Sequence, residues 1–198
     1  MGRVSDAKER LLASAETLIH ERGYNAVGVN EICKHAGVNK GSFYHFFPSK
    51  QTLTLDMVDA VWLRTRESME SALLGDGPPV DRLRSYFEQV HGYHSASCRG
   101  EVCGCPLGNL VLEMSTQDSL LRNRLLQTFE GHLGYFEQVL REARQRGDID
   151  ASIDPRKGAE ALLALLQGQV MLAKLRNDAE VLKDLADSAL RLIGAPNP

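Results

Sequence analysis

A chain of 198 residues, 43% hydrophobic and 25% charged, is long enough to bury one large core or two small ones. It holds no uninterrupted apolar run near the roughly 18 residues that a membrane span needs, and its start, MGRVSDAKER, has no apolar stretch after the first charges, which excludes a signal peptide. Asp6 stands where a myristoylation signal calls for Ser or Thr, so the chain reads as a soluble cytoplasmic protein.

The net charge of −3 is unevenly spread. Residues 1–50 carry seven Lys/Arg against five Asp/Glu, with His20, His35 and His45 in addition, whereas residues 51–198 carry 16 against 21. A mildly basic head on an acidic body is the part a polyanion would meet.

Strand signals are nearly absent and helix punctuation recurs. A first helix runs from Ser5 or Asp6, both good N-caps, to the stop at Gly23, with Ala7, Leu11, Ala15, Leu18 and Ile19 at three- and four-residue spacing. A short second helix covers Asn30 to His35, and Ala36-Gly37-Val38 follows as a turn. Asn39 caps a third short helix through Phe47, stopped by Pro48. Ser49 caps a fourth that reaches Leu74 before the breaker GDGPP. At 1.5 Å per residue the fourth helix is about 39 Å long, enough to leave one domain and enter another. Further helices are expected near 80–97, 106–115, 118–146, 155–176 and 179–193, with Pro106 and Pro155 in first turns, Asp154 as an N-cap, and Gly147 and Gly194 as stops. The predicted fold is all-α, with a head over residues 1–50 and a helical body over 51–198.

Three helices within about 45 residues, the second and third joined by a tight Gly-containing turn, describe a helix-turn-helix. In that motif the third helix enters the major groove. Phe43, Phe46 and Phe47 fall on its inner side, since a helix this short buries itself with large rings. Asn39, Lys40, Ser42, Tyr44 and His45 occupy the rest, and Gly41 allows a close approach of the backbone to DNA or to the first helix.

The stretch GYNAVGVNEICKHAGVNKGSFYHFFPSKQTL, residues 23–53, resembles the TetR family (tetracycline-repressor-like) of bacterial transcription regulators. The resemblance lies in Gly23-Tyr24 ending the first helix, the turn from Ile32 to Gly41, the aromatic-rich helix Phe43 to Phe47, and Ser49-Lys50-Gln51 opening the fourth. It implies that Tyr44 and His45 approach phosphates or base edges and that Lys50 holds a phosphate. A helix N-terminus is itself an anion site, in agreement with the last point. Val27-Gly28 stands where the family has two hydroxyl residues, which removes one backbone contact, and Cys33 replaces an Ala as a small packing residue.

A helix-turn-helix usually binds DNA as a dimer, reading half-sites about 34–36 Å apart. AEALLALLQGQVMLAKL, 159–175, is apolar around most of its circumference, and Gly168 in its middle permits a close neighbour. The resemblance implies that this segment and the last one form the homodimer interface, through Leu162, Leu166, Gly168, Val170, Leu185 and Leu192. It also implies an effector pocket in the body, for which Trp62, Tyr86, Tyr93, Phe129, His132 and Phe136 are candidates; each also suits simple core packing.

CRGEVCGCPLGN, residues 98–109, gathers three of the four cysteines. GCPLGN looks like a stretch of one TetR subgroup that includes repressors responding to reactive electrophiles and oxidants. Cys105 precedes Pro106 at a helix N-terminus, where partial positive charge favours the thiolate, and Cys98 or Cys103 is available as a resolving partner. A metal reading uses His91, His94 and Cys98, spaced three and four residues apart, although the pattern matches no standard zinc site. The third reading has the cysteines as packing residues. No cofactor is expected. G-x-S-x-G, H-E-x-x-H and an ordered P-loop are missing, which argues for a regulator over an enzyme. A helical protein-binding adaptor, the other class, has no need of Tyr44, His45 and Lys50 beside such a turn. The function expected is a homodimeric repressor on a palindromic operator, released by a small molecule or by cysteine modification, with a metal response as the alternative.

Overall fold

The structure, a computed structural model, describes residues 3–95 and 100–195. Among these residues the regular elements are all helical: α1 (Arg3–Arg22), α2 (Val29–Ala36), α3 (Lys40–Phe46), α4 (Lys50–Leu73), α5 (Pro79–Ser95), α6 (Pro106–Met114), α7 (Ser119–Arg146), α8 (Pro155–Arg176) and α9 (Leu185–Leu192), with a 3-10 helix over Ala179–Leu182 ahead of α9. The all-α expectation holds, and most boundaries lie within two residues of the sequence punctuation.

The final segment departs from expectation. In place of one helix over 179–193 the chain breaks twice. Asn177, in the left-handed region at φ 51°, ends α8 with its N–H on the carbonyls of Ala173 and Lys174. The Asp178 carboxylate then accepts the Glu180 N–H at 2.9 Å and starts the 3-10 turn. Short Asp side chains compete with helix propagation in this way.

The chain forms two compact units. One comprises Met1–Leu63 with Cys105–Thr128, the other Arg64–Gly104 with Phe129–Pro198. The first therefore extends past the helix-turn-helix that ends near residue 50 and takes in the start of α4, α6 and the start of α7. Within it α1 packs on α2, α3 and α6. Leu11, Ala15, Ile32, Phe43, Phe47 and Leu110 are all but inaccessible to solvent there. In the second unit α5 and α8 pack against the 3-10 helix and α9, around Leu83, Phe87, Phe136, Leu162, Leu182 and Leu185. Buried Arg82 closes the end of α4 by donating to the carbonyls of Leu73 (2.7 Å) and Gly75 (3.3 Å) while pairing with Glu142. Those carbonyls would otherwise be left without helical partners.

Candidate DNA-binding site and cysteine region

The turn between α2 and α3 is built on Gly37, left-handed at φ 62°, whose N–H reaches back to the carbonyls of Cys33 and Lys34. The Val38 N–H bonds to the Cys33 carbonyl at 3.0 Å, completing the helix stop. Asn39 then caps α3, its Oδ1 accepting the Ser42 N–H at 2.8 Å. A Cβ at Gly41 would meet that same Asn39 oxygen at 3.3 Å, so the glycine makes room for the cap and not for α1.

The α3 rings anchor it. Phe43 and Phe47 are fully buried with centroids 5.9 Å apart, and Phe46 is half-buried. Tyr44 meets Phe43 edge-on at 5.2 Å yet stays 51% exposed. Asn39, Lys40 and His45 are exposed as well, and Ser42 is half-exposed. Short α3 thus presents one polar face outward while its aromatic face holds it against α1 and α2. Arg10 on α1 donates to the Ala36 carbonyl at 3.0 Å, and His35 Nδ1 lies 3.0 Å from Ser14 Oγ. Cys33 is buried, and burial raises its thiol pKa, as suits a packing residue.

Lys50 differs from the expectation of a simple phosphate ligand. Its Nζ donates to the carbonyls of Tyr24 (2.9 Å) and Val27 (3.0 Å) and sits 3.8 Å from the centre of the Tyr24 ring. Burial lowers its pKa, partly offset by the Glu113 carboxylate. Two of its three donors therefore brace the loop between α1 and α2. Sequence reasoning passed over that loop's other partner, Glu113 on α6, which accepts the N–H groups of Tyr24 (2.7 Å) and Asn25 (2.8 Å). Its sequence signal was faint: a lone Glu near a helix end, far from the motif.

Cys105 is the N-cap of α6, and its Sγ accepts the Gly108 N–H at 3.3 Å, with Pro106 opening the helix. Its side chain is half-exposed and it is a thiol. Cys103 is disulfide-bonded and Cys105 is a thiol, so of the two candidate resolving partners Cys103 is not joined to Cys105. Cys98 lies outside the described residues. Among the described residues no group of three His, Cys, Asp or Glu is arranged to hold a metal; His91 faces Glu180 at 3.6 Å and His94 is buried.

The aromatic candidates differ in their surroundings. Tyr86 and Phe136 meet edge-on at 5.5 Å with Phe87 alongside, all three buried as core. Phe129 stacks on His132 at 5.4 Å. Tyr93 is 57% exposed, and Trp62, half-buried, belongs to the other compact unit.

The dimer candidates of α8 and α9 fall on two faces. Leu162, Leu166 and Val170 form the inward stripe with Ala159 and Ala173, and Leu185 is buried likewise. These residues serve the chain's own core. The outward face carries Ala164, Gly168, Met171 and Leu175, with Met171 54% and Leu175 76% exposed. A Cβ at Gly168 would meet nothing within 4 Å, and Leu192 on α9 is 46% exposed.

A tightly turned helix pair, with the polar face of the second helix outward on a buried aromatic anchor, defines a helix-turn-helix DNA-binding protein. Residues 11–57 match the family model described as bacterial regulatory proteins, tetR family, and residues 79–189 match the tetracyclin repressor-like C-terminal domain. The chain belongs to the TetR family of transcription regulators. It is 28% identical over 192 residues to the HTH-type transcriptional repressor NemR of Escherichia coli strain K12, covering 96% of each chain. It is 33% identical to the transcriptional regulator AcuR of Cereibacter sphaeroides, over 85% of this chain and 77% of that protein. The crystal structure of the reduced form of E. coli NemR superposes with a TM-score of 0.86 at 29% identity, covering 98% of this chain and 100% of that one. A regulatory protein TetR from Rhodobacter sphaeroides gives 0.87 at 31% identity, over 94% and 98%. No helix among the described residues is long and apolar enough to cross a membrane.

Proposed function

We propose that the chain is a homodimeric repressor that binds a palindromic operator through α3 of each subunit and leaves it when Cys105 is oxidised or alkylated. The observation that carries the DNA contact is the exposed face of Asn39, Lys40, Tyr44 and His45 on a helix whose other face is locked by Phe43 and Phe47. Ser42 contributes its backbone N–H to the cap and leaves its hydroxyl for a phosphate. Lys50 braces the loop and keeps one N–H for a phosphate.

Self-association is assigned to the outward face of α8, Ala164, Gly168, Met171 and Leu175, with Leu192 of α9. An apolar stripe of this kind on a family of dimeric regulators is where a second copy would bury area. Thiol control is supported by the sulfur of Cys105 being at once half-exposed and part of the α6 cap. The relative NemR, a repressor, is described in a reduced form, which fits the same chemistry. Modification replaces a small sulfur acceptor with a bulkier group at the first turn of α6. Release then follows if the modified state tilts α4 and takes the two recognition helices out of register with successive major grooves, at a coupling of about 1–3 kcal/mol. A modified dimer with unchanged recognition-helix spacing would contradict that step.

The operator contact is tested by fluorescence anisotropy with a duplex from upstream of the protein's own gene. Tyr44→Ala is expected to cost about 1–3 kcal/mol of binding, with helical content and dimer mass unchanged. Undiminished affinity removes Tyr44 from the interface.

A further inference from the structure

We propose that Glu113 is a positioning residue for DNA binding: its carboxylate latches α6 onto the loop that carries the helix-turn-helix and passes changes in α6 to it. This inference rests on the operator-binding reading above.

The latch is a built feature. Both oxygens of Glu113 are used, Oε2 on the Tyr24 N–H at 2.7 Å and Oε1 on the Asn25 N–H at 2.8 Å. Charge-assisted bonds of this kind are about twice as strong as neutral ones. Gly23 makes the approach possible. It is left-handed at φ +89°, and a Cβ there would lie 3.0 Å from Glu113 Oε2. The glycine that ends α1 therefore also admits the carboxylate.

The loop is held on three sides. From α4, Lys50 takes the Tyr24 and Val27 carbonyls while Glu113 takes the neighbouring N–H groups. Beyond α6, Asn25 Nδ2 lies 3.4 Å from Gln117 Oε1, and Gln51 Nε2 donates to Asp118 at 2.5 Å. Lys50 thus meets the carbonyl side of the loop and Glu113 the amide side, and the loop runs directly into α2 at Gly28. One end of α6 is capped by the Cys105 sulfur and the other bears Glu113, eight residues later in the same helix and its cap. A nine-residue helix transmits a displacement of its first turn to its last, because its hydrogen-bonded backbone does not compress.

The test uses full-length wild type, E113A and E113Q, the labelled operator duplex, and N-ethylmaleimide as the thiol probe. The quantity read is the ratio of operator Kd after and before alkylation, roughly 5- to 150-fold for a typical coupling in wild type. In E113A that ratio is expected to fall by about threefold or more toward unity, and by less in E113Q, which keeps one acceptor oxygen. A residue that only stabilised the fold would weaken both affinities in parallel and leave the ratio intact. An unchanged ratio in fully alkylated E113A overturns the proposal. A wild type that fails to bind or to release condemns the operator or thiol reading, and the latch is then decided by amide hydrogen exchange. Exchange at Tyr24 and Asn25 roughly tenfold faster in E113A supports it, and unchanged exchange overturns it.

Discussion

Lys50 shows how a motif residue acquires a second duty from its surroundings. Its ammonium is the shared partner of two carbonyls and a tyrosine ring, so removing it takes the donor from the Val27 carbonyl and leaves the Tyr24 carbonyl only the Val27 N–H at 3.3 Å. Lys50→Met is expected to lower unfolding free energy by about 1–3 kcal/mol in urea titrations, in addition to any loss of DNA affinity. A variant of unchanged stability would reduce Lys50 to a phosphate contact. The sequence made Lys50 visible as a cation at a helix start, but not where its donors go. That depends on the Tyr24–Val27 carbonyls, which no periodicity encodes. Glu113 was hidden for the same reason: its partners lie 89 and 88 positions away. By contrast, Asn39 was legible as a cap and Cys105 as standing at a helix start, because each acts on the next three residues of its own chain.

At the scale of elements, α8 shows why a helix is legible in sequence while its two faces are not told apart. Its apolar residues surround the axis, so hydrophobicity marks two stripes and does not say which faces the chain's own core. The packing of α8 against the 3-10 helix and α9 decides it, turning Leu162, Leu166 and Val170 inward. The outward stripe then predicts the partner surface. Met171→Glu with Leu175→Glu is expected to shift the dimer to monomer by sedimentation while leaving helical content intact, since both side chains are largely exposed in the single chain. A double variant that remains dimeric at micromolar concentration would contradict the assignment. Leu162→Glu is expected to unfold the unit instead, because it would bury a charge at a site with 0% exposure.

For the whole molecule, helix number, order and most boundaries followed from Pro, Gly and Asp punctuation, and the helix-turn-helix from spacing within about 30 residues. The composition of the two compact units did not, since α6 joins the first unit through long-range packing on α1. Cys105 and the recognition helix belong to the same unit, and the proposed thiol control would reach DNA affinity through Glu113.

Control of operator binding through Cys105 is tested most directly by titrating labelled operator with reduced protein at two salt concentrations, before and after N-ethylmaleimide, in wild type and Cys105→Ser. Binding that is tight, weakens steeply with salt, is lost on alkylation in wild type and persists in Cys105→Ser is the predicted result. Operator binding that survives alkylation of wild type, or is lost equally in Cys105→Ser, would contradict control through Cys105.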